Sequence, residues 1–353
     1  MLKIPNIFVI NTGSTSTKIA IFKGEELFWE QKIDHSVEEL EQYSDFEAQV
    51  NHRKKIILRY LNENHFSVKS FDLIMCRGGL IKPVESGIYK VNLKMLNDLK
   101  NSNRKHASNL SAVIGYSLSE NKNNVFIADP VVVDEMQDIA RYSGHKLFKR
   151  VSIFHALNHK AVARKFSDNQ QMKYENLNLI VVHMGGGISV AAHHKGKVID
   201  VNQALDGEGP FSPERSGTLP AGDLVDISFS EKYTYDEVKK MIVGKGGLVS
   251  YLGSNNVQEI EKNLNKNSEK ILKAMSYQIA KSIGEMAVVL YGKVDAIILT
   301  GGIAYSKFIT ENIKKHIQFI APVYIYPGED EMQALAYNGL LLWNKNLKDK
   351  DYL

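Results

Sequence analysis

Two turns rich in small residues could hold the oxygens of a phosphate chain. One is Asn11-Thr12-Gly13-Ser14, between the apolar runs 7–10 and 19–22; the other is Gly185-Gly186-Gly187, between 179–184 and 188–192. A tight turn of this kind presents backbone N–H groups, which suit phosphate oxygens. Two arginines stand near glycine: Arg77 precedes Gly78 and Gly79, and Arg215 lies just before Ser216 and Gly217. Glycine lets a backbone approach a ligand closely, and a guanidinium can grip a carboxylate or phosphoryl group as a two-pronged fork. A surface or salt-bridged position is the alternative for either arginine. Asp129 ends the apolar run 125–128 and precedes Pro130. A carboxylate at the C-terminal end of a strand points into the ligand crevice of an open α/β sheet. It could serve magnesium, which takes one or two carboxylates plus phosphate oxygens and water. A plain Asp-Pro turn is the structural alternative. The sequence offers no Ser-His-Asp or Cys-His arrangement. The chemistry it suggests is anion binding and charge neutralisation.

The remaining composition fits that reading. The chain has 353 residues, a length that suggests two domains. Its 44 basic and 40 acidic residues leave a net charge of +4, too balanced to argue for nucleic acid or an anionic membrane as partner. The single cysteine, Cys76, excludes an internal disulfide framework and a cysteine zinc site, and is expected in the core. No run approaches ~20 apolar residues and the N-terminus carries no leader pattern, so a cytoplasmic location is expected.

The elements that must position these residues occur twice. Residues 7–24 match residues 179–196 at a constant offset of 172, so that Val9 falls on Val181, Gly13 on Gly185 and Gly24 on Gly196. Each copy reads as strand, turn, strand and a Lys-Gly turn. Residues 71–79 and 294–302 form a second pair, each an apolar strand ending in Gly-Gly. Helices are predicted over 47–63, 106–120 and 269–291 from apolar spacing of three and four, and Thr234 with Glu237 predicts a capping box. These features predict an α/β chain of two duplicated domains, each a mixed sheet plus helices, with an active-site cleft between them. The expected domains are residues 1–150 plus 333–353, and residues 151–332. The second carries a Gly-, Pro- and Ser-rich insertion over about 198–267.

Duplicated hairpin turns of this kind resemble the acetate and sugar kinase, Hsp70 and actin superfamily, an actin-like ATPase fold. The individual segments narrow the resemblance to the acetokinase family. Asn11 to Lys18 looks like its first phosphate loop, and Arg77-Gly78-Gly79 like its substrate arginine. The segment Phe154-His155 to His159 and the loop His183 to Gly187 are similar to two of its histidine motifs. Glu214-Arg215-Ser216-Gly217 looks like its Thr-Arg-Ser-Gly, with Glu214 in place of threonine. Leu299 to Gly302 resembles its adenosine segment, and Glu329 and Glu331 lie where it has paired glutamates. The matches run in order from residue 6 to about residue 336.

The resemblance implies reversible phosphoryl transfer between ATP and the carboxylate of a short-chain acid, with Mg2+ and ADP. It implies catalytic roles for Arg77, Asp129, His155 and Arg215, and a substrate pocket of Gly78, Gly79, His106, Phe154 and Pro213. Nucleotide binding falls to Asn11, Ser14, Lys18, His183, Gly185, Gly186, Gly187, Gly301, Gly302 and Ile303; the metal falls to Asp129, Glu329 and Glu331. It also implies a homodimer or higher homo-oligomer. The chain departs from the acetate kinase pattern at 129–134 and 209–220. It also shortens the family's Arg-Val-Val-His-Gly-Gly to Arg77-Gly78-Gly79, which should open room for a four-carbon acid, butyrate. The alternatives are acetate, propionate or a branched acid as substrate, or a non-enzymatic nucleotide-binding protein of the same superfamily.

Overall fold

Short apolar runs rich in Val and Ile become strands, and the runs with three- and four-residue apolar spacing become helices. The computed structural model describes residues 3–43, 45–102, 106–328 and 331–353. Twelve strands lie among them: β1 Asn6–Thr12, β2 Ser16–Lys23, β3 Glu26–Asp34, β4 Leu73–Arg77, β5 Ile88–Lys90, β6 Val125–Ala128, β7 Asn178–Met184, β8 Ile188–His194, β9 Lys197–Val201, β10 Ala296–Gly301, β11 Val323–Pro327 and β12 Asp349–Lys350. The chain divides into two compact units, Met1–Val133 with Asp330–Leu353, and Asp134–Glu329.

In the first unit the sheet order is β12-β5-β6-β4-β1-β2-β3. The hairpin β1–β2–β3 is antiparallel, while β4 and β6 add to β1 in parallel. One face buries Phe8, Ile10, Ile19 and Ile74 against the helices Phe46–Glu63 and Ser108–Leu118. The other face meets the helix Glu331–Trp343, where a Cβ on Gly339 would lie 2.9 Å from Met75. Cys76 is buried on β4, and burial pushes its thiol pKa up.

In the second unit the order is β11-β10-β7-β8-β9. Here too a three-stranded antiparallel hairpin sheet, β7–β8–β9, is extended in parallel by β10 and β11. The helix Lys266–Val289 lays Leu272, Met275, Ile279 and Ile283 on one face, and the helix Ala156–Asn169 covers the other with Val162 and Phe166. The insertion forms four short helices between Ala221 and Lys262, one of them opened by the Thr234–Glu237 capping box.

The duplication is inexact in its pairing, and one expected boundary moves. The duplicated hairpins share a sequence offset but not a register: Val9 faces Ala20, whereas Val181 faces Ala191 rather than Ala192. The second turn is therefore one residue tighter. Residues 134–150, expected with the first domain, pack with the second unit. The Glu135 carboxylate binds Lys160 at 2.6 Å and the Val198 N–H at 2.8 Å, and Arg150 pairs with Asp200 and Glu208.

Candidate active site

In the first unit the parallel pairing of β1 with β4 brings Asn11 and Arg77 to the same end of the sheet. The last helix begins with Glu331, and these three side chains close a triangle. Arg77 Nη1 donates to Asn11 Oδ1 at 3.3 Å, Asn11 Nδ2 donates to Glu331 Oε2 at 2.6 Å, and Arg77 Nη2 lies 3.5 Å from Glu331 Oε1. Lys18 is exposed on β2 and pairs across the hairpin with Asn11, which puts both side chains on one face. Ser14 is exposed in the turn.

The turn itself is braced from behind. Gly13 N–H closes it by bonding Ser16 O at 2.8 Å. Arg53, from the helix Phe46–Glu63, is 1% exposed and donates to Ser14 O, Ser16 O and Thr17 Oγ1. Burial pulls its pKa down to about 10, with Glu39 acting the other way, so it remains a cation at neutral pH. Its bonds to two carbonyls and one hydroxyl hold the turn to the helix behind it.

Asp129 directly follows β6, 1% exposed and at a φ of 38°. Its Oδ1 accepts from Ser86 Oγ at 2.6 Å and from Gly87 N–H at 2.9 Å. One carboxylate oxygen is thus committed to shaping the neighbouring turn. Glu329 lies outside the described residues.

The expected room beside Arg77 is filled. A Cβ on Gly78 would collide with Pro130, and one on Gly79 would lie 2.6 Å from both Asn109 and Leu99. These glycines admit their neighbours; they do not open a pocket. His106 is half-buried, with Nδ1 2.7 Å from Ser108 Oγ. It lines a cavity of about 270 Å³ with Ser14, Phe46, Leu99, Lys100 and Leu110.

In the second unit the turn after β7 is built by missing side chains. Gly185 N–H bonds Gly187 O at 3.0 Å, and among the described residues no acceptor takes the N–H of Gly186 or Gly187. The Arg215 guanidinium lies where a Cβ of Gly187 would be, and Nη1 donates to Ala204 O. Burial lowers the Arg215 pKa and Glu214 opposes that shift. Ser212 Oγ donates to Gly186 O at 2.6 Å, and Glu214 faces Gly186 while accepting from Asn255 Nδ2 at 2.5 Å. The segment 209–217 thus folds over the turn.

Beneath it sits a histidine cluster. His155 and His183 stack at 3.8 Å. His183 Nδ1 meets Asn158 Oδ1 at 2.9 Å, and His155 Nδ1 meets Ser189 Oγ at 2.9 Å. Ser189 also meets His159 Nε2 at 2.8 Å, and His159 leads to His193 and on to Tyr174 OH. Burial, helped by neighbouring His183 and Lys160, pushes the His159 pKa well down. Burial with His159 and Lys160 does the same for His193, so both are neutral. Phe154 is buried edge-on to His159 at 5.2 Å.

A cavity of about 670 Å³ in the same unit is lined by Gly185, Gly186, Pro213, Gly302, Ile303 and Tyr305, among others. Pro213 therefore shares a wall with the expected nucleotide residues. Phe154 does not line this cavity. Gly301 and Gly302 differ in kind. A Cβ on Gly301, at a φ of 89°, would strike Met184, whereas nothing lies near one on Gly302. The first is needed for packing and the second keeps the cavity open.

The sequence reading missed Arg53, Asn158, Ser189 and Ser212. Asn158 lies inside the histidine segment, three residues after His155 and one turn along a helix, and Ser212 lies inside the segment 209–220; Arg53 and Ser189 carried no signal.

Residues 93–330 match the Acetokinase family. The chain is 52% identical over 351 residues to a protein named Butyrate kinase 2 of Clostridium acetobutylicum, covering 98% of this chain and 99% of that one. It is 50% identical, over the same share, to a probable butyrate kinase of Clostridium botulinum. Among solved structures it resembles the acetate kinase of Porphyromonas gingivalis, with a TM-score of 0.78 at 18% identity over 96% of this chain and 99% of that one. It also resembles a propionate kinase of Francisella tularensis, with a TM-score of 0.74 at 18% identity over 95% and 99%.

Proposed function

Since the chain belongs to the acetokinase family, we propose that it transfers a phosphoryl group reversibly between ATP and the carboxylate of butyrate, the reaction of a butyrate kinase. The choice of butyrate rests on the full-length relatives at 52% and 50% identity. The observation that carries the phosphoryl chemistry is Arg215, seated against the bare Gly187 of a turn with two unclaimed N–H groups.

The acid needs no general base. A carboxylate with a pKa near ~4.3 is already ionised at neutral pH. One of its oxygens attacks the terminal phosphorus, the bond to the bridging oxygen breaks, and ADP leaves with the electron pair. The protein must align two anions and neutralise the charge that builds on the equatorial oxygens. Arg77 exchanges its contacts with Asn11 and Glu331 for the substrate carboxylate. Asn11, Ser14 and Lys18 serve phosphate oxygens in the first unit. The Gly185–Gly187 turn and His183 serve them in the second. Arg215 and His155 bind the moving phosphoryl group, and the partners of His155 and His183 fix their ring orientations.

The family's reaction uses ATP with a divalent metal, for which we propose magnesium. The donor set fits a hard cation. Glu331 presents a carboxylate now held by an amide and a guanidinium, and Asp129 contributes through its water shell, one oxygen being committed. The metal supplies charge neutralisation at the phosphates. The adenosine takes the cavity kept open by Gly302 and Ile303.

We also propose a homodimer or higher homo-oligomer. The helix Ala221–Ser228 has no buried residue, and Val225 on it and Phe229 at its end are exposed. Contiguous apolar exposure of this kind marks an interaction surface. Light scattering at micromolar concentration would return a monomer mass if the proposal is wrong. No helix among the described residues is long and apolar enough to cross a membrane.

The test of substrate choice is kcat/KM for acetate, propionate, butyrate, isobutyrate and valerate with saturating Mg-ATP. Two extra buried methylenes are worth ~1.6 kcal/mol, or roughly fifteen-fold for butyrate over acetate. A preference for acetate would refute the substrate and leave the kinase standing. A preference for isobutyrate would point to a branched acid.

A further inference from the structure

His35 just past β3, Glu39 on the short helix Val37–Glu41, and His52 on the helix Phe46–Glu63 converge in the first unit. Their ligand-type atoms all lie within 4.8 Å of one another. His52 Nε2 is 2.6 Å from Glu39 Oε1, and His35 Nδ1 is 3.7 Å from Glu39 Oε2. His35 is only 4% exposed, and its Nδ1 is buried without a hydrogen-bond partner. A buried polar atom with no partner costs roughly 1–3 kcal/mol and calls for an explanation. The other ring nitrogen has one: His35 Nε2 is 2.9 Å from Thr17 Oγ1. If His35 donates its proton there, Nδ1 carries a lone pair aimed at Glu39 and His52. This is how outer partners set the tautomer of metal-binding histidines.

We propose that His35, Glu39 and His52 form a site for a divalent transition metal of the zinc class, separate from the magnesium of the reaction. Two imidazoles and a carboxylate suit zinc, cobalt or nickel, with water completing the shell. Zinc bonds of about 2.1 Å place tetrahedral ligands about 3.4 Å apart, so the close His52–Glu39 pair at 2.6 Å must open and the wider separations, up to 4.8 Å, must contract. Arg53 also faces His35, and its charge works against any cation there. Simple charge attraction is therefore weak, and affinity must come from nitrogen donation. That argues against magnesium and calcium, which prefer oxygen ligands. Tyr43 stacks on His52 at 4.0 Å and fixes that ring. The site lies directly behind the first phosphate turn: His35 N–H bonds Thr15 O at 2.8 Å, and Thr17 shares its hydroxyl with Arg53. Metal at this point would pin the turn to the helix behind it.

The test is zinc and cobalt titration of the full-length protein with millimolar magnesium present throughout, followed by calorimetry and by the visible spectrum of cobalt. The expected result is saturable binding at near one equivalent, a cobalt spectrum with nitrogen ligation, and a rise in Tm of at least about 2 °C at saturation. His52→Gln and Glu39→Gln should each weaken binding roughly tenfold or more. Both side chains are partly exposed, so both variants should fold, and circular dichroism checks this. Absence of saturable binding at micromolar metal, or equal affinity in wild type and both folded variants, would overturn the proposal.

Discussion

The two hairpin turns occupy equivalent places in duplicated sheets, yet they are held by opposite means. The turn after β1 has side chains at Ser14, Thr15 and Ser16, and a buried cation behind it ties down its carbonyls. The turn after β7 has none: three glycines leave space that Arg215 and Ser212 fill from in front. In the first, the arginine is structural and the groups proposed to meet the ligand are side chains of the turn and its strands. In the second, the arginine packs against the glycines, which make its seat, and is the one proposed to meet the ligand. Duplication preserved the strand–turn–strand frame and left each turn to acquire its own support.

The largest expected effect tests that seat. Gly187→Ala places a methyl group where the Arg215 guanidinium lies, so it should reduce kcat by about 10²–10³, much as Arg215→Ala should. ATP affinity should fall far less in the arginine variant, because the charge Arg215 is proposed to answer develops in the transition state. Gly186→Ala meets only Glu214 at 3.7 Å and should stay within roughly tenfold of wild type. Equal losses at 186 and 187 would break the distinction.

In the first unit the same logic predicts a stability effect first and a binding effect second. Arg53→Met should cost about 3 kcal/mol in denaturant unfolding, since the buried Thr17 hydroxyl and two partly buried carbonyls lose a charged donor. The KM for ATP should rise as the turn loosens, with kcat affected less. A variant with wild-type stability would mean that Arg53 is not the brace.

The smallest effect concerns the histidines of the second unit. His159 and His193 have folded pKa values well below the ordinary 6.5, so below that pH the unfolded chain binds more protons than the folded one. Their contribution is complete above pH 6.5 and falls as the pH drops, by about 1 kcal/mol per histidine by pH 5.5. His193→Gln should flatten the Tm–pH slope in this window. An unchanged slope would show that His193 does not titrate on unfolding.

Much of this was legible in the sequence, for physical reasons that differ by element. Strands, long helices and the duplication announce themselves through local periodicity and a fixed offset. The register slip between the hairpins does not, because it depends on how tightly a turn of three glycines can close. Arg53 reads as one basic residue among several in the segment His52 to Lys55, and only the fold carries it some 36 to 39 residues back to the turn. Ser189 and Ser212 look like ordinary polar residues until a histidine or a carbonyl arrives beside them. Gly78 and Gly79 were legible as important but misread in purpose. A glycine next to a functional arginine can mean open space or close packing, and Pro130 and Asn109 decide for packing.

The central claim is phosphoryl transfer to a carboxylate, and phosphorus NMR of the enzyme with Mg-ATP and butyrate tests it most directly. The ATP γ signal should be lost with stoichiometric growth of ADP and an acyl phosphate resonance. That resonance should disappear when hydroxylamine is added and reverse to ATP when butyryl phosphate and ADP are supplied. ADP with inorganic phosphate alone, or no turnover at all in folded protein, would contradict it.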